Sequence, residues 1–159
     1  MEMTPNPYDH CPAYETKHFH LRQVKLKDAA DLVECYKNPT LAVQGSAHGC
    51  IVGPGYYGSQ TKREMRKFIR FWLAEYRKKH WYIRWSVIDR QSGKAVGTIE
   101  AGAFDIPSQG TGVMLILDLA APYETDVFVP ELLRLSIDHF YALFHADILI
   151  IYGMPGADV

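Results

Sequence analysis

Cysteine is scarce: Cys11, Cys35 and Cys50 cannot all pair within one chain, and none stands in a CxxC. A disulfide framework and a redox dithiol are both disfavoured, and reduced thiols in a cytoplasmic protein are the simpler reading. The opening "MEMTPNPYDHCPAYE" has neither a basic n-region nor an apolar h-region, which argues against a secretory signal peptide. Long apolar runs are missing too. Asp118 interrupts "VMLILDLAA", and "ILIIYGM" has the length of a strand, well short of the ~18 residues that cross a membrane. Net charge is −1 from 17 basic and 18 acidic side chains, so the chain as a whole is no polyelectrolyte binder. Repeats and low-complexity tracts are absent. What remains is an ordinary globular composition in 159 residues, enough for one domain whose core closes without disulfides or a structural metal. Residues 1–17, rich in proline and polar groups, read as an extended arm before a single domain over 18–159.

Periodicity supplies the elements. "HFHLRQV" alternates, with Phe19 and Leu21 on one face, as a strand does. In "KDAADLVECYKNP" Asp28 can cap, Ala29, Leu32, Val33 and Tyr36 recur at helical spacing, and Pro39 stops the run. Residues 40–60 hold five glycines and two adjacent tyrosines, a long connection of the kind that is often functional. From Thr61 to Lys79 the residues Met65, Phe68, Ile69, Trp72, Leu73 and Tyr76 follow an amphipathic helix. "WYIRWSVID" and "KAVGTIEAGAF" are strands joined by a short turn at Gly93. "GVMLILDLAA" is apolar on both faces and therefore central. Asp126 to His145 reads as a helix with Pro130 near its first turn, and "ADILIIYGM" as a last strand. The order is β-α-loop-α-β-β-β-α-β.

Three stretches of that order resemble the GNAT acetyltransferase superfamily, especially its ribosomal-protein N-acetyltransferase-like branch. "HFHLRQVKLKDAADLVECY" is similar to the opening strand and helix, and "WSVIDRQSGKAVGTIEAGAF" to the central hairpin. "LDLAAPYETDVFVPELLRLSIDHFY" is similar to the fourth strand and coenzyme-binding helix. The resemblance implies an α+β fold: a mixed, mostly antiparallel central sheet with helices on both faces. It implies acetyl-CoA as acyl donor, with backbone groups near Leu119 and Ala120 meeting the pantetheine. The turn after them, R/Q-x-x-G-x-G/A in the family, cradles the pyrophosphate at a helix N-terminus, where unpaired N–H donors and a partial positive charge favour anions. Carried onto this sequence, that cradle is Thr125, Asp126, Val127 and Phe128.

Two departures stand out. "APYETDVFVPELL" has no glycine, and Thr125, Asp126 and Val127 occupy the places of Gly-Arg-Gly. Either the Asp126 carboxylate caps those amides itself and competes with the phosphate, or the amide cradle survives, because it depends on N–H groups rather than side chains. Family members also continue past the fifth strand with another helix and a closing hairpin, whereas this sequence runs out at Val159. The sheet is then incomplete at its C-terminal end, cut short, or closed through a partner such as a second copy in a homodimer.

Candidate chemistry follows. Glu100 falls on a strand facing the expected acceptor cleft, where the family often has a general base; a solvent-facing carboxylate is the plain alternative. Asp118, a charge in an apolar run, requires a partner cation or a raised pKa, and is either an acid–base group or an ion-pair member. Tyr152 donates a proton to the leaving thiolate if it faces the cleft, and otherwise only packs. "GPGYYG" formally matches G-x-G-x-x-G, but lacks the preceding strand and a suitably placed acid. A flexible acceptor loop contributing Tyr56 and Tyr57 suits it better. His10, Cys11, His18 and His20 lack the paired spacing of zinc sites, so no metal is expected. His48 and Cys50 have no evident orienting third group. The basic stripe on residues 61–79 meets RNA, an acidic protein or a coenzyme phosphate, or is a solvated face.

The sequence thus points to acetyl transfer from acetyl-CoA to a primary amine, on a protein N-terminus or a small molecule, with neither membrane nor nucleic acid as expected partner. The alternative is a non-catalytic binding module of the same fold with a degenerate coenzyme site.

Overall fold

Polar and apolar residues alternate along "FHLRQ" and "IRWSVID", and that alternation sorts the two sides of one sheet. A computed structural model describes residues 5–41 and 61–152. Its strands are β1 (Tyr14–Glu15), β2 (Phe19–Gln23), β3 (Ile83–Asp89), β4 (Ala95–Ile106), β5 (Gly110–Leu119) and β6 (Ile148–Ile151). They lie side by side in chain order, antiparallel except for the parallel pair β5·β6. Helices α1 (Ala29–Tyr36) and α2 (Lys62–Lys79) cover one face, and α3 (Phe128–Leu143) covers the other. The fold is the expected α+β arrangement. No described helix is long and apolar enough to cross a membrane.

On the α3 side, Phe19, Leu21, Trp85, Val87, Ile99, Leu115 and Leu117 pack against Leu132, Leu135 and Phe140. Phe140 stacks on Trp85 with ring centroids 5.0 Å apart, an aromatic pairing that adds to simple area burial. The opposite face carries Leu32, Tyr36, Met65, Ile69 and Trp72 from α1 and α2. The period-2 alternation of strands sends Arg84, Ser86, Thr98, Glu100 and Asp118, all buried, to that same side. One layer of the core is apolar, and the other is built around charge. In α2 the anticipated stripe holds: Met65, Ile69, Trp72 and Tyr76 are buried, while Phe68 and Leu73 pack partly buried against the core. Most of its lysines and arginines are solvent-exposed.

Two local details differ from expectation. Asp28 does not cap α1 with its side chain. Its carboxylate instead accepts from both Arg22 guanidinium nitrogens at 2.7 and 2.9 Å, from Ser86 Oγ and from the Lys25 N–H. Burial opposes ionisation there, but these donors outweigh it and hold the carboxyl below its ordinary range. The arm is not merely extended either. Tyr14–Glu15 adds a short strand to the sheet edge, Tyr8 stacks on His80, and Trp85 Nε1 donates to the Pro12 carbonyl. The β3–β4 turn uses Gly93 at φ +74, the left-handed region where a side chain is strained.

Candidate functional site

Strand register decides which backbone groups remain open. The Ala120 N–H donates to Val96 O on the β4 side at 2.8 Å, so alternate residues of β5 point their N–H and C=O the other way. Leu115, Leu117 and Leu119 are those residues, and the Tyr152 N–H meets Leu115 O at 3.2 Å. Pairing with β6 ends at Leu115↔Ile151. Among the described residues the N–H and C=O of Leu117, beyond that last pair, face a gap in the strand pairing. Half-buried Tyr152 stands where the gap begins. Of the two positions expected to offer backbone groups, Ala120 has both committed, its carbonyl accepting from the Tyr123 N–H. The Leu119 carbonyl accepts from Asn38 Nδ2 at 2.9 Å, and the same nitrogen reaches Glu124 Oε1 at 2.6 Å. Among the described residues the groups left without a partner are both of Leu117 and the N–H of Leu119.

The segment entering α3 answers the question raised by its missing glycines. Thr125 Oγ1 accepts from the Phe128 N–H at 3.0 Å, and Thr125 O accepts from the Val129 N–H at 3.1 Å. Thr125 is thus the residue that caps the helix, in the place the sequence suggests for Asp126. The Thr125 N–H is held by Tyr123 O at 2.9 Å. Among the described residues the N–H groups of Asp126 and Val127 have no acceptor, and the exposed Asp126 carboxylate forms no hydrogen bond. Two of the four anticipated amides remain available, then, and the aspartate does not occupy them. A diphosphate fits this edge by the chemistry of its donors: main-chain amides need no glycine side chain, only room and orientation.

On the α1–α2 face lies a buried charge cluster. Arg84 donates from Nη2 to Glu100 Oε2 at 2.9 Å and from Nη1 to Tyr36 Oη at 3.0 Å and Thr98 Oγ1 at 2.9 Å. The Tyr36 hydroxyl donates to Asp118 Oδ2 at 2.9 Å, and Arg84 Nη1 lies 3.6 Å from the same oxygen. The Arg84 guanidinium also sits 4.0 Å over the Trp72 ring. Arg84 is the cation that the lone charge at Asp118 requires. The two carboxylates differ in access: the Glu100 side chain is 12% exposed and that of Asp118 only 1%. Glu100 Oε1 forms no hydrogen bond among the described residues. Glu100 pairs across the sheet with Ile116, one residue before the open backbone of Leu117.

Sequence reasoning missed Arg84, Tyr36, Thr98 and Asn38. A single charge inside "YIRWSVI" was the available signal for Arg84, yet its partner depends on register. The histidines disperse: His18 Nδ1 lies 2.7 Å from Glu131 Oε1 and His20 Nδ1 lies 3.5 Å from Glu15 Oε1. Burial raises the Glu131 pKa, but the bonds from His18 and Thr16 outweigh it and hold the carboxyl low. Tyr56 and Tyr57, the anticipated acceptor loop, lie outside the described residues, as do His48 and Cys50.

Comparison with known proteins places this geometry in context. A family model described as an acetyltransferase (GNAT) domain matches residues 18–155. No curated protein matches the sequence. Among solved structures the chain is similar to a ribosomal L7/L12 alpha-N-protein acetyltransferase in complex with coenzyme A, at 12% identity and a TM-score of 0.62, covering 88% of this chain and 73% of that one. It is also similar to a ribosomal-protein-S5-alanine acetyltransferase from Vibrio fischeri, at 16% identity and 0.55, covering 82% and 67%. A glucosamine-6-phosphate N-acetyltransferase from Arabidopsis thaliana is similar at 13% identity and 0.54, covering 86% and 82%.

Proposed function

This chain belongs to the GNAT acetyltransferase family, and from that premise we propose that it transfers an acetyl group from acetyl-CoA to a primary amine, within the ribosomal-protein-like branch and in the cytoplasm. The acceptor is a protein N-terminus or a small amine. The observation that carries this reading is the pair of amides at Asp126 and Val127, without an acceptor among the described residues, at the entrance of the helix that follows β5.

Each residue then has a physical task. The Asp126 and Val127 amides hold the coenzyme diphosphate, and the backbone of Leu117 with the Leu119 N–H lines the gap for its pantetheine arm. An N–H directed at the thioester carbonyl stabilises the oxyanion that develops during attack. Glu100, through Oε1, takes the proton of the acceptor ammonium directly or by way of water. Its other oxygen is fixed by Arg84, so the carboxylate is oriented before the acceptor arrives. Asp118, sealed from solvent, acts through Arg84 and Tyr36 as a positioning residue. Tyr152, beside the gap, returns a proton to the leaving thiolate.

A second reading, a binding module without catalysis, is favoured by one observation: Asn38 already holds the Leu119 carbonyl. Thermal denaturation with acetyl-CoA separates the two. At a hundredfold excess over Kd a ligand adds about 2.7 kcal/mol, a rise in Tm of roughly 5–10 °C for a domain of this size. No rise at millimolar acetyl-CoA removes the enzymatic reading. In a transfer assay Glu100→Gln is expected to lower kcat by about 10²–10⁴-fold with little change in acetyl-CoA affinity. Undiminished turnover would strip Glu100 of the base role.

A further inference from the structure

Charge is segregated in this chain. Helix α2 carries eight of its 17 lysines and arginines but only Glu64 and Glu75 of its 18 acids, so its 18 residues hold +6 while the rest of the chain holds −7. The near-neutral total hides a local polycation, and no step of the mechanism above uses it. We infer that the outer face of α2 is a docking surface for single-stranded RNA, which it holds by the phosphates.

The helical repeat concentrates the charge. At 3.6 residues per turn, Arg63, Arg66, Lys67, Arg70, Arg77 and Lys78 fall within about 120° of the helix circumference, and no acid shares that arc. Met65, Ile69, Trp72 and Tyr76 lie on the other side and are buried, so the arc points away from the core. Five of the six cations are exposed and Arg66 is half-buried. Among the described residues none of the six forms an ion pair, and the pair Lys79–Glu75, 3.6 Å apart, lies off the arc. A face that served only solubility would gain from alternating signs. Here Arg63 and Lys67, and Arg66 and Arg70, stand at i,i+4, where like charges repel and oppose the helix. Lys62 and Arg63 also sit at the positive end of the macrodipole. A bound polyanion relieves both strains.

Geometry and chemistry decide which polyanion. With a rise of ~1.5 Å per residue, Arg63 to Lys78 spans ~22 Å, a line that successive phosphates of an extended strand can follow. Four of the six cations are arginines, whose planar fork matches phosphate oxygens. Phe71, 40% exposed, borders the arc one turn beyond Lys67 and offers a ring on which an unpaired base stacks. A lipid surface suits the helix less, because its apolar side is committed to the core and has nothing to insert. An acidic peptide meets the cations but brings no planar base to Phe71. In the cytoplasm proposed above, the single-stranded polyanion in supply is RNA.

Fluorescence anisotropy of a labelled oligouridylate of about 20 nucleotides, with poly-L-glutamate of matched charge as competitor, tests the assignment. The wild-type chain is expected to bind the RNA with an affinity that falls as salt rises, with a log–log slope of about −4 for six phosphate contacts. Poly-L-glutamate is expected to displace it only at large excess. The triple variant Arg63→Gln/Lys67→Gln/Arg70→Gln is expected to bind at least about tenfold more weakly and to flatten the slope by about 2. Its Tm should stay constant, since glutamine is as good a helix former as the residues it replaces and no ion pair among the described residues is broken. Phe71→Ala is expected to weaken binding about fivefold or more and leave the slope unchanged. No binding by the wild type at low salt, undiminished binding by the triple variant, or displacement by poly-L-glutamate at equal charge overturns the inference. None of these readouts involves acetyl-CoA, so the acetyl-transfer reading stands or falls on its own tests.

Discussion

Arg84→Met is expected to destabilise the protein by about 3–5 kcal/mol, the cost of removing one partner from a buried ion pair. Against the ~5–15 kcal/mol that holds a domain together, that loss leaves a protein marginal at 37 °C. The reason is arithmetic of charge. Arg84 bridges Glu100 at 2.9 Å and lies 3.6 Å from Asp118, with both carboxylates buried. Its deletion strands two negative groups under α1 and α2. Arg84→Lys keeps the charge but not the planar fork that reaches Glu100, Tyr36 and Thr98 at once, so an intermediate loss is expected. The triple variant Arg84→Met/Glu100→Gln/Asp118→Asn removes all three charges and is expected to recover much of the stability, because the penalty lies in the unpaired carboxylates. Urea midpoints of the three proteins check this. A single Arg84→Met variant as stable as the wild type would show that the cluster does not hold the carboxylates as described.

The second large effect concerns binding, and it isolates a main-chain group. Thr125 Oγ1 caps the turn that leads into α3, and Asp126 stands in that turn, two residues before Phe128, with an N–H that has no acceptor among the described residues, so a proline there removes no backbone hydrogen bond. Asp126→Pro removes the amide donor and the carboxylate together, whereas Asp126→Ala removes the carboxylate alone. A hydrogen bond to a charged group contributes ~1.5–3 kcal/mol, so the proline variant is expected to bind acetyl-CoA at least about tenfold more weakly than the alanine variant. The alanine variant should exceed the wild type by a few-fold, since like charges ~4 Å apart in water repel by about 1 kcal/mol. Neither change touches the core, and Tm without ligand should stay constant.

What the sequence made legible follows from how local each signal is. The buried strand β5 was readable from "VMLILDL", whose apolar character on both faces admits only a central place. The stripe on α2 was readable because the helical period repeats over five turns. Tyr14–Glu15 was not, since two residues carry no period. The helix cap went to Thr125 rather than Asp126 because both side chains can accept a hydrogen bond, and only the path of the chain decides which one aligns. The partnership of Arg84 with Glu100 and Asp118 rests on the registers Arg84↔Glu100 and Thr98↔Asp118, contacts between distant segments that no local pattern encodes. Asn38 crosses 81 residues to reach Leu119, and the same limit applies to it.

Coenzyme binding depends on whether free main-chain amides at the head of α3 hold a diphosphate without glycine. Isothermal titration of acetyl-CoA into the wild type, Asp126→Ala and Asp126→Pro at one ionic strength tests it most directly. The predicted order is alanine tightest, wild type between, and proline weakest, with equal melting temperatures for the unliganded proteins. Equal affinities for the alanine and proline variants, or no binding to any of the three, would contradict it.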